Sequence, residues 1–118
     1  MPICLDVDEK FAQELENGQL LAITDPEGFL LAIMTVEDIW QPDKQLEASL
    51  VYGTNESSLH PGVHQLYNKV KNWYVGGPVE GVSLPVHYDF RELRLTPSET
   101  HRRFTQYGWR RVLGFHTE

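Results

Sequence analysis

Gly76-Gly77-Pro78, set between the aromatic-led run Trp73-Tyr74-Val75 and the alternating apolar positions Val79, Gly81, Val82 and Leu84, restricts this chain more than any other stretch. A glycine pair inside a strand allows a bulge or sharp turn and lets another backbone approach closely. A proline after it confines the segment to an edge or a corner. The run therefore reads as a bent strand ending at Pro85. His87-Tyr88-Asp89-Phe90-Arg91 follows as a polar and aromatic cluster, and Arg94, Thr96, Pro97 and Glu99 lead into a helix start. Residues 73–99 thus read as the connection between two structural units.

The chain ahead of that connection alternates short strands and helices. Pro2-Ile3-Cys4-Leu5 is expected to form a buried strand. Asp6 or Asp8 is placed to cap a helix in which Val7, Phe11 and Leu15 recur at four-residue spacing, and Asn17-Gly18 supplies a left-handed stop. Residues 19–24 and 29–37 are apolar and β-rich, and Asp25-Pro26-Glu27-Gly28 between them suits a tight turn, which predicts a hairpin. Leu46, Ala48, Leu50 and Val51 predict a short helix ended by Gly53-Thr54, and His60-Pro61-Gly62-Val63 opens another that runs to about Val70.

Three of these residues invite a chemical reading. His60 and His64 stand four apart, a spacing that puts two zinc ligands on one helical face. The helix begins between them and no third ligand is apparent in the sequence, so a single histidine closing a loop is the preferred reading. Cys4 has no basic neighbour in sequence and is read as a small packed hydrophobe rather than a nucleophile.

Thr96-Pro97-Ser98-Glu99 has the form of a capping box with proline at the first helical position, predicting a helix to about Tyr107. His101, Arg102 and Arg103, with Arg110 and Arg111 beyond, are the only concentrated positive charge. Arginines of this kind can grip sulfate or phosphate, but in an acidic chain they are expected to pair with local carboxylates. Val112-Leu113-Gly114-Phe115 is expected to form a short buried strand after the helix, as in a parallel α/β unit.

A chain of 118 residues with a formal charge of −7 and a pI near 5.1 suits one folded core and argues against a nucleic-acid-binding face, which needs clustered lysine and arginine. One cysteine excludes an intrachain disulfide and any multi-cysteine metal site, and fits a reducing compartment. No run approaches the ~20 apolar residues of a membrane span. A cytoplasmic protein without a metal or cofactor is expected.

The order of these motifs resembles the ATP sulfurylases, or sulfate adenylyltransferases. Their pattern of Tyr-Val-Gly-Gly, Leu-Pro-x-His-Tyr-Asp, Leu-Arg-x-Thr-Pro and Gly-Trp is matched here by Tyr74-Val75-Gly76-Gly77, Leu84-Pro85-Val86-His87-Tyr88-Asp89, Leu93-Arg94-Leu95-Thr96-Pro97 and Gly108-Trp109. Pro42-Asp43-Lys44, Glu47-Ala48, Val51-Tyr52-Gly53-Thr54 and His60-Pro61-Gly62-Val63 look like the same family, so the resemblance covers nearly the whole chain. It implies residues 1–95 as a PUA-like domain, incomplete at its N-terminus, and residues 96–118 as the first helix and strand of a truncated catalytic domain. His60, Gly76, Gly77, His87, Tyr88, Asp89, Thr96 and Pro97 are then structural motif positions.

The resemblance breaks at the end of the chain. The family continues its strand into Gln-Thr-Arg-Asn-Pro and then His-x-x-His, which by the resemblance hold sulfate and the ATP phosphates. Here His116, Thr117 and Glu118 stand where Gln-Thr-Arg should be, so only Thr117 matches a family site position. A carboxylate in place of the arginine would repel a dianion.

Three functions are open at this point. The chain is a segment of an ATP sulfurylase, associated with making adenylyl sulfate from ATP and sulfate but carrying no catalysis of its own. Alternatively it is a stand-alone, non-catalytic interaction module derived from the PUA-like domain. The third is a small catalyst using His87, Tyr88 and Asp89, although alternation along an extended chain would send these neighbours to opposite faces and favours a structural hydrogen-bond cluster. The fold expected in each case is α+β, a PUA-like partial barrel or mostly antiparallel sheet with short helices and a terminal helix and strand. Expected partners are a second copy of the chain or the catalytic domain of an ATP sulfurylase, with ATP and sulfate only in the full-length enzyme, and neither nucleic acid nor membrane.

Overall fold

Asp25 closes the first hairpin of the chain. Its carboxylate Oδ1 accepts hydrogen bonds from the backbone N–H groups of Glu27 and Phe29, both at 2.9 Å, and so fixes the turn between β2 (Leu20–Thr24) and β3 (Leu30–Thr35). The computed structural model describes residues 3–116, and in it Met1–Leu84 and Pro85–Glu118 form two separate units. Among the described residues no helix is long and apolar enough to cross a membrane.

The first unit holds two three-stranded antiparallel sheets. One has the order β2-β3-β6, with β6 at Val79–Gly81. The other has the order β1-β5-β4, formed by Leu5–Val7, Trp73–Gly76 and Asp38–Trp40. The sheets do not close into a barrel, and the architecture is the expected α+β partial barrel. Val7, Met34, Val36 and Val75 are buried in its core together with Ala12 and Leu15, which flank and belong to helix α1 (Glu9–Glu14).

The chain passes between the sheets twice at one corner. It leaves β3 for β4 through residues 35–37 and returns from β5 to β6 through residues 76–78. The two passes are tied together by Thr35 N–H donating to the Pro78 carbonyl at 3.0 Å and Glu37 N–H donating to the Gly76 carbonyl at 2.9 Å. Val36, between them, is fully buried. Gly77 is required here because a Cβ at that position would overlap the Thr35 carbonyl oxygen. The glycine pair read from the sequence as a bend is thus the point where a strand changes sheets.

Helices α2 (Lys44–Tyr52) and α3 (Pro61–Asn68) form a second small core around Ala48, Val63 and Leu66. Asp43 caps α2 by accepting from the N–H groups of Gln45 and Leu46, and Gly53 ends it in the left-handed conformation at φ 74°. His60 caps α3, its Nδ1 accepting from Gly62 N–H at 3.0 Å, and Pro61 occupies the first turn.

In the second unit Phe90, in the left-handed region at φ 50°, precedes a single 3₁₀ turn at Arg91–Leu93, and helix α4 spans Pro97–Gln106. The capping box is present in both directions: Glu99 N–H donates to Thr96 Oγ1 at 3.3 Å, and Thr96 N–H donates to Glu99 Oε2 at 2.7 Å.

Several expectations are corrected. Among the described residues the first strand begins at Leu5, and Pro2, where it was expected to start, lies outside them; Ile3 and Cys4 lie ahead of the strand and are exposed, because only Leu5, Asp6 and Val7 find partners on β5. Val7 belongs to that strand, so the buried residue of α1 is Ala12, while Phe11 is 41 % exposed. Asp8 holds the cap position without a side-chain hydrogen bond, and Asp6 instead accepts from Lys71 N–H at 2.8 Å. Residues 112–115 form no strand: among the described residues they pair with no other segment, and Leu113 and Phe115 are exposed. Asp38–Trp40, which had no strand signal beyond its apolar residues, pairs with β5.

Candidate functional site

A cavity of about 460 Å³ lies in the first unit where α2 and α3 meet β1 and β5 of their sheet. Cys4, Asp6, Glu47 and Tyr74 line one side, and Tyr52, Leu66 and Val70 another. Tyr74 is brought there by period-two alternation in β5 and is buried, and its phenol donates to Glu47 Oε2 at 3.0 Å. Burial, then the bond to Glu47, pushes the Tyr74 phenol well above its ordinary range. Desolvation, followed by the Glu47 carboxylate, also pushes the Cys4 thiol up, which keeps it protonated and unreactive at neutral pH. The cysteine is exposed rather than packed as expected, and its chemistry is still not that of a nucleophile.

Tyr74 and Glu47 are 27 positions apart, and no spacing in the sequence joins them. A phenol held neutral against a carboxylate, beside a protonated thiol, provides a hydrogen-bonded wall. Val51, Gly62 and Gln65 complete the lining.

His60 sits at the rim of the α2–α3 core. Its ring packs on Tyr52 with centroids 4.7 Å apart while Nδ1 is used by Gly62 N–H, which is a loop-closing arrangement. His64 is exposed on α3, and among the described residues no group of three or more His, Cys, Asp or Glu side chains could hold a metal ion. Gly76 packs beneath the Trp40 ring and offers its carbonyl to Glu37, and Gly77 lies against Thr35.

In the second unit the cluster around Asp89 is organised by arginines. Arg94 donates to the Asp89 carboxylate and to the Asp89 carbonyl, each at 3.0 Å, while Arg91 donates to the His87 carbonyl at 3.0 Å and lies 5.9 Å from the Tyr88 ring centroid. The hydrogen bond from Arg94, more than any other influence, holds the Asp89 carboxyl below its usual range. With its carboxylate engaged in this way, Asp89 is not hydrogen-bonded to His87, and Tyr88 is exposed. Thr96 and Pro97 start α4 as described, and the bonds from Thr96 hold the Glu99 carboxyl low.

The expected pairing of the positive cluster is corrected. Among the described residues Arg102, Arg103, Arg110 and Arg111 form no ion pair, and Arg103 instead donates to the Glu92 carbonyl at 3.4 Å. His116 is exposed beyond the last helix. Thr117 and Glu118 lie outside the described residues.

Residues 1–84 match the model of a family described as a PUA-like domain. Sulfate adenylyltransferase of Chaetomium globosum is 47 % identical over 120 residues, covering 99 % of this chain and 21 % of that protein. Sulfate adenylyltransferase of Kluyveromyces lactis is 41 % identical over 117 residues, covering 99 % of this chain and 23 % of that protein. Among solved structures, the hexameric APS kinase from Thiobacillus denitrificans superposes with a TM-score of 0.60 at 32 % identity, over 93 % of this chain and 17 % of that one. The chain therefore spans 21–23 % of the length of the curated relatives it matches. With the family model covering residues 1–84 and sulfate adenylyltransferases aligned across 99 % of its length, the chain belongs to the PUA-like domain family, in the form that those proteins carry.

Proposed function

We propose that these 118 residues serve as a scaffold segment in sulfate activation, the reaction of ATP and sulfate to adenylyl sulfate and pyrophosphate, and do not themselves catalyse it. The observation that carries this reading is identity of 41–47 % with sulfate adenylyltransferases over 99 % of the chain. Nothing in the cavity at Tyr74 supplies a cation for phosphate or sulfate, since its two charged side chains, Asp6 and Glu47, are both acidic. In this reading residues 1–95 are the PUA-like domain and residues 96–118 open a nucleotide-binding domain, with His116 and Glu118 at positions that hold anions in the family and Thr117 the one that matches it. The setting is cytoplasmic, the small molecules ATP and sulfate belong to the full-length enzyme, and no cofactor, nucleic acid or membrane is part of the role. Self-association is part of it, and the hexamer named for the solved relative supports that.

A second reading, a stand-alone interaction module, is favoured by one observation: Leu46 and Leu50 on α2 are 55 % and 78 % exposed beside Trp40, an apolar surface available to a partner. A pyrophosphate-release assay with ATP and sulfate tests the first reading. The purified chain is expected to give no turnover, and activity that scales with protein through repurification would defeat it. Stable capture of a separately expressed catalytic domain would support the scaffold reading over the stand-alone module.

A further inference from the structure

We propose that Asn17 is a site of spontaneous deamidation that the fold holds in check: its side-chain amide is lost only when the hydrogen bond from Gly18 N–H to the Val36 carbonyl opens, and an isoaspartyl product then keeps that bond from re-forming. The inference stands apart from the sulfate-activation reading and rests on the turn between α1 and β2. Of the four asparagines, Asn17 alone precedes glycine, while Asn55, Asn68 and Asn72 precede Glu56, Lys69 and Trp73. The reaction needs the backbone nitrogen of the following residue to reach the asparagine Cγ, and a side chain on that residue hinders the approach. Gly18 stands in the left-handed region at φ 87°, which residues bearing a Cβ rarely adopt, so the turn that requires glycine also creates the reactive pair.

Asn17 itself is exposed, and what the fold withholds is the nucleophile. Gly18 N–H donates to the Val36 carbonyl at 2.7 Å, and Val36 N–H donates to the Gln19 carbonyl at 2.9 Å. The turn is clasped a second time across its own ends. Gln19 N–H donates to the Glu16 carbonyl at 3.1 Å, and Glu16 N–H donates to Gln19 Oε1 at 3.0 Å. Leu15 before the turn and Val36 beside it are both buried, which anchors the clasp to the core. A nitrogen committed to this bond keeps its proton and cannot attack, so the reaction waits for the turn to open.

Once it opens, Gly18 N gives up its proton and bonds to Asn17 Cγ. The Cγ–Nδ2 bond breaks, and Nδ2 leaves with a proton as ammonia, closing a succinimide ring. Water then adds to one of the two ring carbonyls. Addition at Cγ leaves an aspartyl residue at position 17, and addition at the backbone carbonyl leaves an isoaspartyl residue whose peptide link runs through the former side chain. The isoaspartyl link lengthens the backbone by one carbon between position 17 and Gly18. Gly18 N–H and the Gln19 carbonyl then no longer meet both groups of Val36 in register. Val36 is fully buried where the chain passes between the sheets, so a surface modification disturbs a core position and permanently marks a chain that has opened.

Incubation of the 118-residue chain at mildly alkaline pH over a guanidinium chloride series is the test, with two readouts on the same samples. Trypsin cuts after Lys10 and Lys44, and the peptide 11–44 holds one asparagine, so mass and chromatographic splitting follow its conversion to the aspartyl and isoaspartyl forms. Hydrogen exchange at the Gly18 amide follows the opening of its bond. Deamidation is expected to be at least about tenfold slower in native buffer than in the denatured chain, and to rise in step with Gly18 exchange between the two. Gln19 is exposed, and Gln19→Ala, which removes the side-chain half of the clasp, should raise the native rate about fivefold and leave the denatured rate unchanged. Isoaspartyl chains returned to native buffer should show no protection at Gly18. The parent's own denaturant series decides the matter even if the variant fails to fold. Equal rates in native buffer and denaturant, deamidation that does not follow Gly18 exchange, an unaltered native rate in folded Gln19→Ala, or a protected Gly18 amide in the isoaspartyl form would each overturn the proposal.

Discussion

The phenol of Tyr74 donates to the Glu47 carboxylate at 3.0 Å and so ties the central strand of one sheet to helix α2. No other side-chain hydrogen bond among the described residues joins α2 to that strand, and the bond lies beside the cavity between the sheet and the α2–α3 pair.

Replacing Tyr74 by phenylalanine removes this tie while keeping the ring. Stability is expected to fall by about 1 kcal/mol, the usual net value of a hydrogen bond. The pH dependence has a definite sign. The folded phenol is raised above its unfolded value, so its contribution is whole below about pH 10 and is lost as pH rises toward the folded value. Urea titrations at pH 7 and at pH 10.5 check both points: the parent should lose stability at the higher pH, and Tyr74→Phe should lose less. Equal losses in the two proteins would assign the alkaline weakness to another group.

Gly77→Val forces a Cβ into the Thr35 carbonyl and should destabilise the fold by more than ~1 kcal/mol. A melting temperature equal to that of the parent would show that the corner relaxes freely.

Thr96→Ala deletes the hydroxyl half of the capping box and should cost α4 about 1 kcal/mol. Glu99, whose folded carboxyl is held low, contributes above its unfolded value of about pH 4.3 and loses that contribution as pH falls through the folded value. Amide exchange in α4 should therefore rise on substitution at pH 7. The difference between variant and parent should shrink on acidification, and a difference that grows instead would remove Glu99 from the cap.

Affinity for unstructured RNA should be weaker than micromolar at ~0.15 M salt, since counterion release depends on clustered positive charge and the chain is net acidic. Filter binding over a salt series measures it. Tighter binding with a steep salt slope would point to Arg102, Arg103, Arg110 and Arg111, which have no ion-pair partners among the described residues.

What was legible in the sequence was local chemistry. Asp43 ahead of α2, Gly53 after it, Pro61 in the first turn of α3, the Asp25 turn and the Thr96–Glu99 box each act within a few residues, and each forms as its residue types require. What failed depended on distant neighbours. Cys4 has strand-like company yet the ladder with β5 starts at Leu5, residues 112–115 are apolar yet are not in a strand, and Arg103 meets a backbone carbonyl rather than a carboxylate. Tyr74 and Glu47 meet only because β5 packs beside α2, an outcome of tertiary arrangement that no periodicity encodes.

The doubled crossing at residues 35–37 and 76–78 also orders the events of folding. Glu37 and Gly76 are 39 positions apart, and the loop they close contains β4, α2, α3 and β5. The β2–β3 hairpin and the α2–α3 pair are made of nearby contacts and can form while that loop is still open, whereas both sheets stay incomplete until it shuts. Closure of this loop is then the slow, committing event for the first unit. Substitutions at the corner should act mainly on the refolding rate, and those at the Asp25 turn or the α2 cap on local fraying.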